Sequence, residues 1–194
     1  RFLSGDYTAA LAAAAKAKKL LWGLAGRIPL LSYFYYTALT LAALHEKAAP
    51  DEQREWFKVL AAHQEQLREW AENYPPTFGD KFALVSAEIA RLEGDDFSAM
   101  HRYEQAIQSA HENGFVQNEG IAHELTAGFY LARGFPTAGR AHLEQARSCY
   151  ARWGAEGKVK QLDERYPQLR AQTVRAAATP LDNVTNVTQL DLLA

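Results

Sequence analysis

Alternating apolar and polar positions, the mark of a half-buried strand, are absent from this chain. Between its breaks it is rich in Ala, Leu, Glu, Gln, Lys and Arg, the stronger helix formers, so helices are expected throughout. The breaks fall at "GRIP" (26–29), "AAPD" (48–51), "NYPPTFGD" (73–80), "EGDD" (93–96), "ENGF" (112–115), "RGFP" (133–136), "WGAEG" (153–157) and "RYP" (165–167). Each combines Gly, Pro, Asn or Asp, residues that permit positive φ, fix φ or offer a capping oxygen. They leave about eight helical segments joined by short connections, which makes consecutive helices antiparallel neighbours.

The stretch "IPLLSYFYYTALTLAAL" (28–44) runs without a charge and reaches the short limit of the roughly 17 to 25 residues a membrane span needs. It also carries Ser32, Thr37, Thr40 and three tyrosines, and reads as a buried helix of a soluble protein. Its aromatic run, Tyr33, Phe34, Tyr35 and Tyr36, points all round a helix axis and therefore belongs to a core. No basic groove accompanies it, so stacking on single-stranded nucleic acid is not expected.

Residues 93–115 and 133–155 superimpose without a gap at a period of 40. From Gly94 the steps +5, +9 and +12 land on Ala99, Tyr103 and Ala106; from Gly134 they land on Gly139, Leu143 and Ala146. Seven residues before each glycine stand Ala87 and Ala127. A fainter copy begins at Gly5 and reaches Ala10, Ala14 and Ala17. This is the spacing of a helical hairpin: a left-handed glycine ends one helix and an Asp or Pro starts the next. Small residues at Ala87 with Ala99, and at Ala127 with Gly139, let the two helices approach closely. A bulkier residue there would cost about 1 to 3 kcal/mol through overpacking.

The pattern of small, small, large and small residues resembles the tetratricopeptide repeat. The likeness covers residues 80–112 and 120–153, departs from the usual period of 34, and is faint in the middle pair (29–74). It implies an all-α, antiparallel helix-hairpin solenoid over residues 1–176, with 177–194 as a linker to a following domain. In such a unit the first helix of each hairpin lines the concave face. Lys81, Glu88, Arg91, Asn118, Glu119 and Glu124 are therefore the candidate groove residues.

The stretches "GDYTAALAAAAKAKKLLWGLAG", "LSYFYYTALTLAAL", "AHQEQLREWAENYP" and "YARWGAEGKVKQLDERYP", with "ENGFVQNEGIAHEL" and "FYLARG", together resemble the helical-repeat segment of large bacterial signalling proteins. In that family a protein-kinase-like domain and an AAA-type ATPase precede the segment, and a GAF domain with a histidine kinase follows it. The resemblance implies a cytoplasmic excerpt of a longer signalling kinase, itself non-catalytic, that holds other domains of the same chain or a peptide. The closing "QLDLLA" is similar to the start of the helix leading into the GAF domain.

Charge does not redirect this reading. A formal charge of -2 draws in neither nucleic acid nor an anionic membrane. The basic excess between residues 133 and 175 is spread over several turns, as on a solvated helix surface. Catalytic motifs fail one by one. "HEKAA" (45), "HENGF" (111) and "HELTA" (123) lack the second His of a zinc-protease helix, no Glu stands three residues before a His, and glycine-rich phosphate loops are missing. The single Cys149 allows no internal disulfide and lies on a packed face, where cysteine behaves as a small apolar residue. The sequons at Asn183 and Asn186 matter only in a secreted protein. No cofactor or metal is expected. The leading expectation is a protein-binding scaffold that relays signals. Its alternatives are a module sensing a peptide or small molecule in its concave groove and, last, a helical-bundle hydrolase or metal enzyme.

Overall fold

The computed structural model describes residues 1–21 and 28–169. The linker expected over 177–194, with its sequons, lies outside the described residues. Eight α-helices and no strand occur among those described: α1 (Tyr7–Lys18), α2 (Ile28–His45), α3 (Pro50–Asn73), α4 (Pro75–Glu93), α5 (Asp96–Glu112), α6 (Val116–Ala132), α7 (Pro136–Arg152) and α8 (Glu156–Arg165). Consecutive helices pack antiparallel, while α2 with α4 and α4 with α6 also touch. The chain is therefore a helix-hairpin solenoid: α2, α4 and α6 form an inner layer, and α3, α5 and α7 back it.

From α5 onward the helices start at residues 96, 116, 136 and 156, a step of 20. The turn before each has one design. Gly94, Gly114, Gly134 and Gly154 take φ between 72° and 79°. The next amide then reaches back to the carbonyl five residues earlier: Asp95 to Ala90, Phe115 to Ala110, Phe135 to Tyr130 and Ala155 to Tyr150, at 2.8 to 2.9 Å. This bond satisfies a carbonyl that the helix end would otherwise leave unpaired. The 40-residue repeat of the sequence is thus two 20-residue steps, and the turns at Gly114 and Gly154 belong to the series.

One expected break is much shorter than its sequence suggests. "NYPPTFGD" reads as an eight-residue connection, yet only Tyr74 separates α3 from α4. Pro75 and Pro76 occupy the first turn of α4, where a missing amide costs nothing. Gly79 and Asp80 consequently lie inside the helix, and Asp80 is buried.

The repeat residues sit where helices meet. Ala87, Ala99, Tyr103, Ala106, Ala127, Leu143 and Ala146 are buried almost completely. At Gly139 a Cβ would stand 2.6 Å from Leu131 Cγ and 3.3 Å from the Ala127 carbonyl oxygen, so α6 and α7 touch at the glycine. Burial of Tyr103 and Leu143 contributes about 1.5 to 3 kcal/mol each. In the first copy Ala10, Ala14 and Ala17 are only half-buried, and α1 has no buried residue.

Helix α2 packs on several sides. Tyr35 is buried; Phe34 lies against His63 and Trp70 of α3, and Tyr36 against Phe2. No helix among the described residues is long and apolar enough to cross a membrane.

Candidate functional site

The inner layer borders a partly open cavity of about 330 Å³. Glu88 and Arg91 reach it from α4, Glu124, Leu125, Gly128 and Phe129 from α6, and Lys158 and Arg165 from α8. The turn preceding α1 completes it with Phe2, Leu3 and Tyr7. That turn is strapped in place by α8, because Gln161 Nε2 donates to the Ser4 carbonyl at 2.9 Å. The solenoid therefore curls far enough for its first described residues to meet its last described helix.

Three of the six candidate groove residues face this cavity, and each is bonded to its neighbours. Arg91 donates to Glu46 Oε1 at 2.6 Å, to Glu88 Oε2 at 2.9 Å and to the Ala42 carbonyl at 3.3 Å, joining α4 to α2. Burial alone would favour loss of its proton, but Glu88 and Glu46 outweigh that and hold it above the usual arginine range. The Tyr103 hydroxyl also donates to Glu88. Glu124 accepts from Tyr150 at 2.7 Å and from Lys158 at 2.8 Å, tying α6 to α7 and α8. Burial first, then the neighbouring carboxylates, raise the pKa of Tyr103 and Tyr150, so both stay protonated donors.

Lys81, Asn118 and Glu119 are instead buried between helices, away from the cavity. Lys81 donates to Asp80 at 2.9 Å and to the Thr77 carbonyl at 2.8 Å, and lies 4.1 Å over the Phe115 ring. Asn118 donates to the same Asp80 at 2.7 Å, which welds α6 to α4. Glu119 accepts from Arg152 at 3.0 Å and meets His111 Nδ1 at 3.0 Å. Their sequence positions place them on first helices, but a polar residue close to a helix start faces the stacking neighbour here. The sequence reasoning missed Asp80, which it took for a turn residue, and Tyr7, Lys158 and Arg165. Only the curl of the solenoid brings Tyr7 to Lys158 and Arg165 of α8.

Among the described residues no group of three or more His, Cys, Asp or Glu is arranged to hold a metal. Cys149 is buried 3.1 Å from where a Gly120 Cβ would stand, and burial pushes its thiol up, away from the reactive thiolate. His123 and His142 approach through Nδ1 at 3.0 Å across the α6–α7 hairpin. Burial, with His142 beside it, lowers His123 to about 4, and burial lowers His142 also, so the pair is neutral at pH 7.

On the outside, large apolar side chains are exposed at one end of the hairpins. Phe97 is 82 % exposed and Phe135 59 %, with Met100 one helical turn beyond Phe97. The turns that carry them close α4–α5 and α6–α7 at the same end, and an Arg133–Asp96 ion pair links the two.

A family model described as CHK1-like, TPR repeats matches residues 24–128, more than half of the chain and the span from α2 to most of α6. No curated protein and no solved structure matches the chain. The match takes in the long pair α2–α3, where the repeat is faintest in the sequence, as well as the regular hairpin α4–α5. With that match and an all-helical stack of hairpins, the chain belongs to the CHK1-like TPR-repeat family, whose units serve as protein-interaction scaffolds.

Proposed function

We propose that this chain is a non-catalytic scaffold that binds protein and relays signals within a longer kinase, between a half carrying the ATPase and kinase-like domains and a half carrying the GAF domain and histidine kinase. The observation that carries this reading is the apolar edge formed by Phe97, Met100 and Phe135, since clustered exposed aromatics mark contact surfaces. Coupling between units supports the relay. Arg91 joins α4 to α2, Asp80 joins α4 to α6, Arg133 joins two successive hairpin turns, and Arg147 donates twice to Asp163 between α7 and α8. A displacement at one hairpin is thereby passed to the next.

Co-purification of this chain with the separately expressed flanking domains of its parent tests the reading. The Phe97→Asp, Phe135→Asp double variant is expected to weaken capture by about tenfold or more while the helical circular dichroism stays intact. Unchanged capture in a folded double variant, or ATP hydrolysis by the isolated chain, would contradict it. A second reading, a ligand-sensing module, is favoured by one separate observation: the inner cavity is of a size that takes a small molecule.

A further inference from the structure

The polar groups around the inner cavity are unequally satisfied. Every carboxylate there is engaged: Glu46 and Glu88 by Arg91, Glu124 by Tyr150 and Lys158. The groups left over are all donors. Arg165 makes no ion pair among the described residues and is held only against the Tyr166 ring, 5.4 Å from its centroid. Arg133, by contrast, is committed to its neighbours: one terminal nitrogen donates to Asp96 and the other to the Phe129 carbonyl at 3.5 Å, the guanidinium lies 3.8 Å over the Phe129 ring, and its Nε is buried out of reach. The Tyr7 hydroxyl has no hydrogen-bond partner among the described residues. Burial, then Glu124, raise its pKa, so it too remains a donor.

The rest of the wall is apolar, with Phe2, Leu3, Leu125 and Phe129 around Gly128, whose α-carbon faces open space. At the roughly 30 Å³ that a water takes in the liquid, the cavity holds on the order of ten non-hydrogen atoms. That volume suits a small molecule better than an extended chain.

We infer that the inner cavity is a binding site for a small apolar carboxylic acid, its carboxylate received by Arg165 and the Tyr7 hydroxyl and its body lying along Phe2, Leu125 and Phe129. A guanidinium presents paired donors that match a carboxylate in plane, and an apolar surround strengthens the pairing. This rests on the ligand-sensing reading and is independent of the outer edge at Phe97 and Phe135.

Titration calorimetry on the 194-residue chain tests it with three probes: 3-phenylpropanoate, its primary amide, and an acetylated tripeptide ending in a phenylalanine carboxylate. The free acid is expected to bind saturably, with the amide about tenfold weaker or worse. Arg165→Gln should remove that preference and Arg165→Lys restore part of it. Gly128→Leu should fill the cavity and abolish binding with circular dichroism unchanged. Equal binding of acid and amide, both lost in Gly128→Leu, would overturn the carboxylate assignment and keep the ligand-sensing reading. Binding of the tripeptide alone would overturn a small-molecule occupant. Absence of saturable binding by any probe up to about 5 mM would overturn both.

Discussion

The stretch from α4 to α8 and the stretch from α1 to α3 are built on different principles. Downstream, 17-residue helices α5, α6 and α7 start every 20 residues, and left-handed glycines set the turns. Small residues set how closely the helices approach, and buried polar pairs join each unit to the next. Upstream, α2 and α3 run for 18 and 24 residues and are joined without such a glycine. Aromatic and histidine contacts hold that pair: Phe34 against Trp70 at 5.4 Å, and His63 Nδ1 against the Phe34 carbonyl at 3.1 Å. Backbone geometry fixes the first region, side-chain volume the second. A solenoid can thus keep its stacking while its units lose their repeat, provided the layer they present to the next unit keeps its shape.

If volume governs the upstream pair, Leu67→Ala should be the most damaging single change, since Leu67 is completely buried on α3. A loss of about 2 to 5 kcal/mol is expected, read by urea unfolding, with hydrogen exchange showing the loss concentrated in α2 and α3. Uniform loss over all helices would break the contrast and make the chain one cooperative unit. Downstream, Gly139→Ala should cost about 1 to 3 kcal/mol, because its methyl would meet Leu131 and the Ala127 backbone. Gly134→Ala should cost about 1 to 2 kcal/mol by forcing an L-residue into the left-handed region, although nothing blocks its side chain.

Acid should act chiefly on the α6–α7 hairpin. His123 and His142 have folded pKa values below the ordinary histidine range, so between about pH 6.5 and about pH 4 the unfolded chain binds more protons than the folded one. Stability is then full above that window and falls as pH drops through it. Lowering the pH from 7 to 5 should reduce Tm by about a few degrees, and His142→Gln should flatten that slope. His63, lowered by burial on α3, adds the same sign upstream, so exchange measured at both pH values separates the two regions. The smallest effect is a gain: Gly128→Ala meets nothing within 4 Å and should add up to about 1 kcal/mol by helix propensity.

Legibility followed the same divide. The hairpins from Gly94 onward could be read because a positive φ and a close helix contact each demand a particular residue type, and such demands repeat in sequence. Gly114 and Gly154 obey the rule as well, but their neighbours differ in the other respects. The eight-residue break before α4 was over-read because Pro, Gly and Asp signal a turn locally, while burial of Asp80 against Lys81 and Asn118 is decided by a helix 38 residues away. Of the groove residues, Glu88, Arg91 and Glu124 reach the cavity. Lys81, Asn118 and Glu119 share their helices but not their height along the stack, and the sequence does not show how far one helix slides past its neighbour.

By itself the sequence determined that the chain is helical, that its helices pair as hairpins, and where glycine and alanine let the pairs close. These are local demands, settled within one or two turns of chain. Only the tertiary structure decided the curl of the stack, and with it the meeting of Tyr7, Arg133 and Arg165 around one cavity. That curl sums small rotations at every interface, each set by many side-chain volumes at once, so no short stretch of sequence records it.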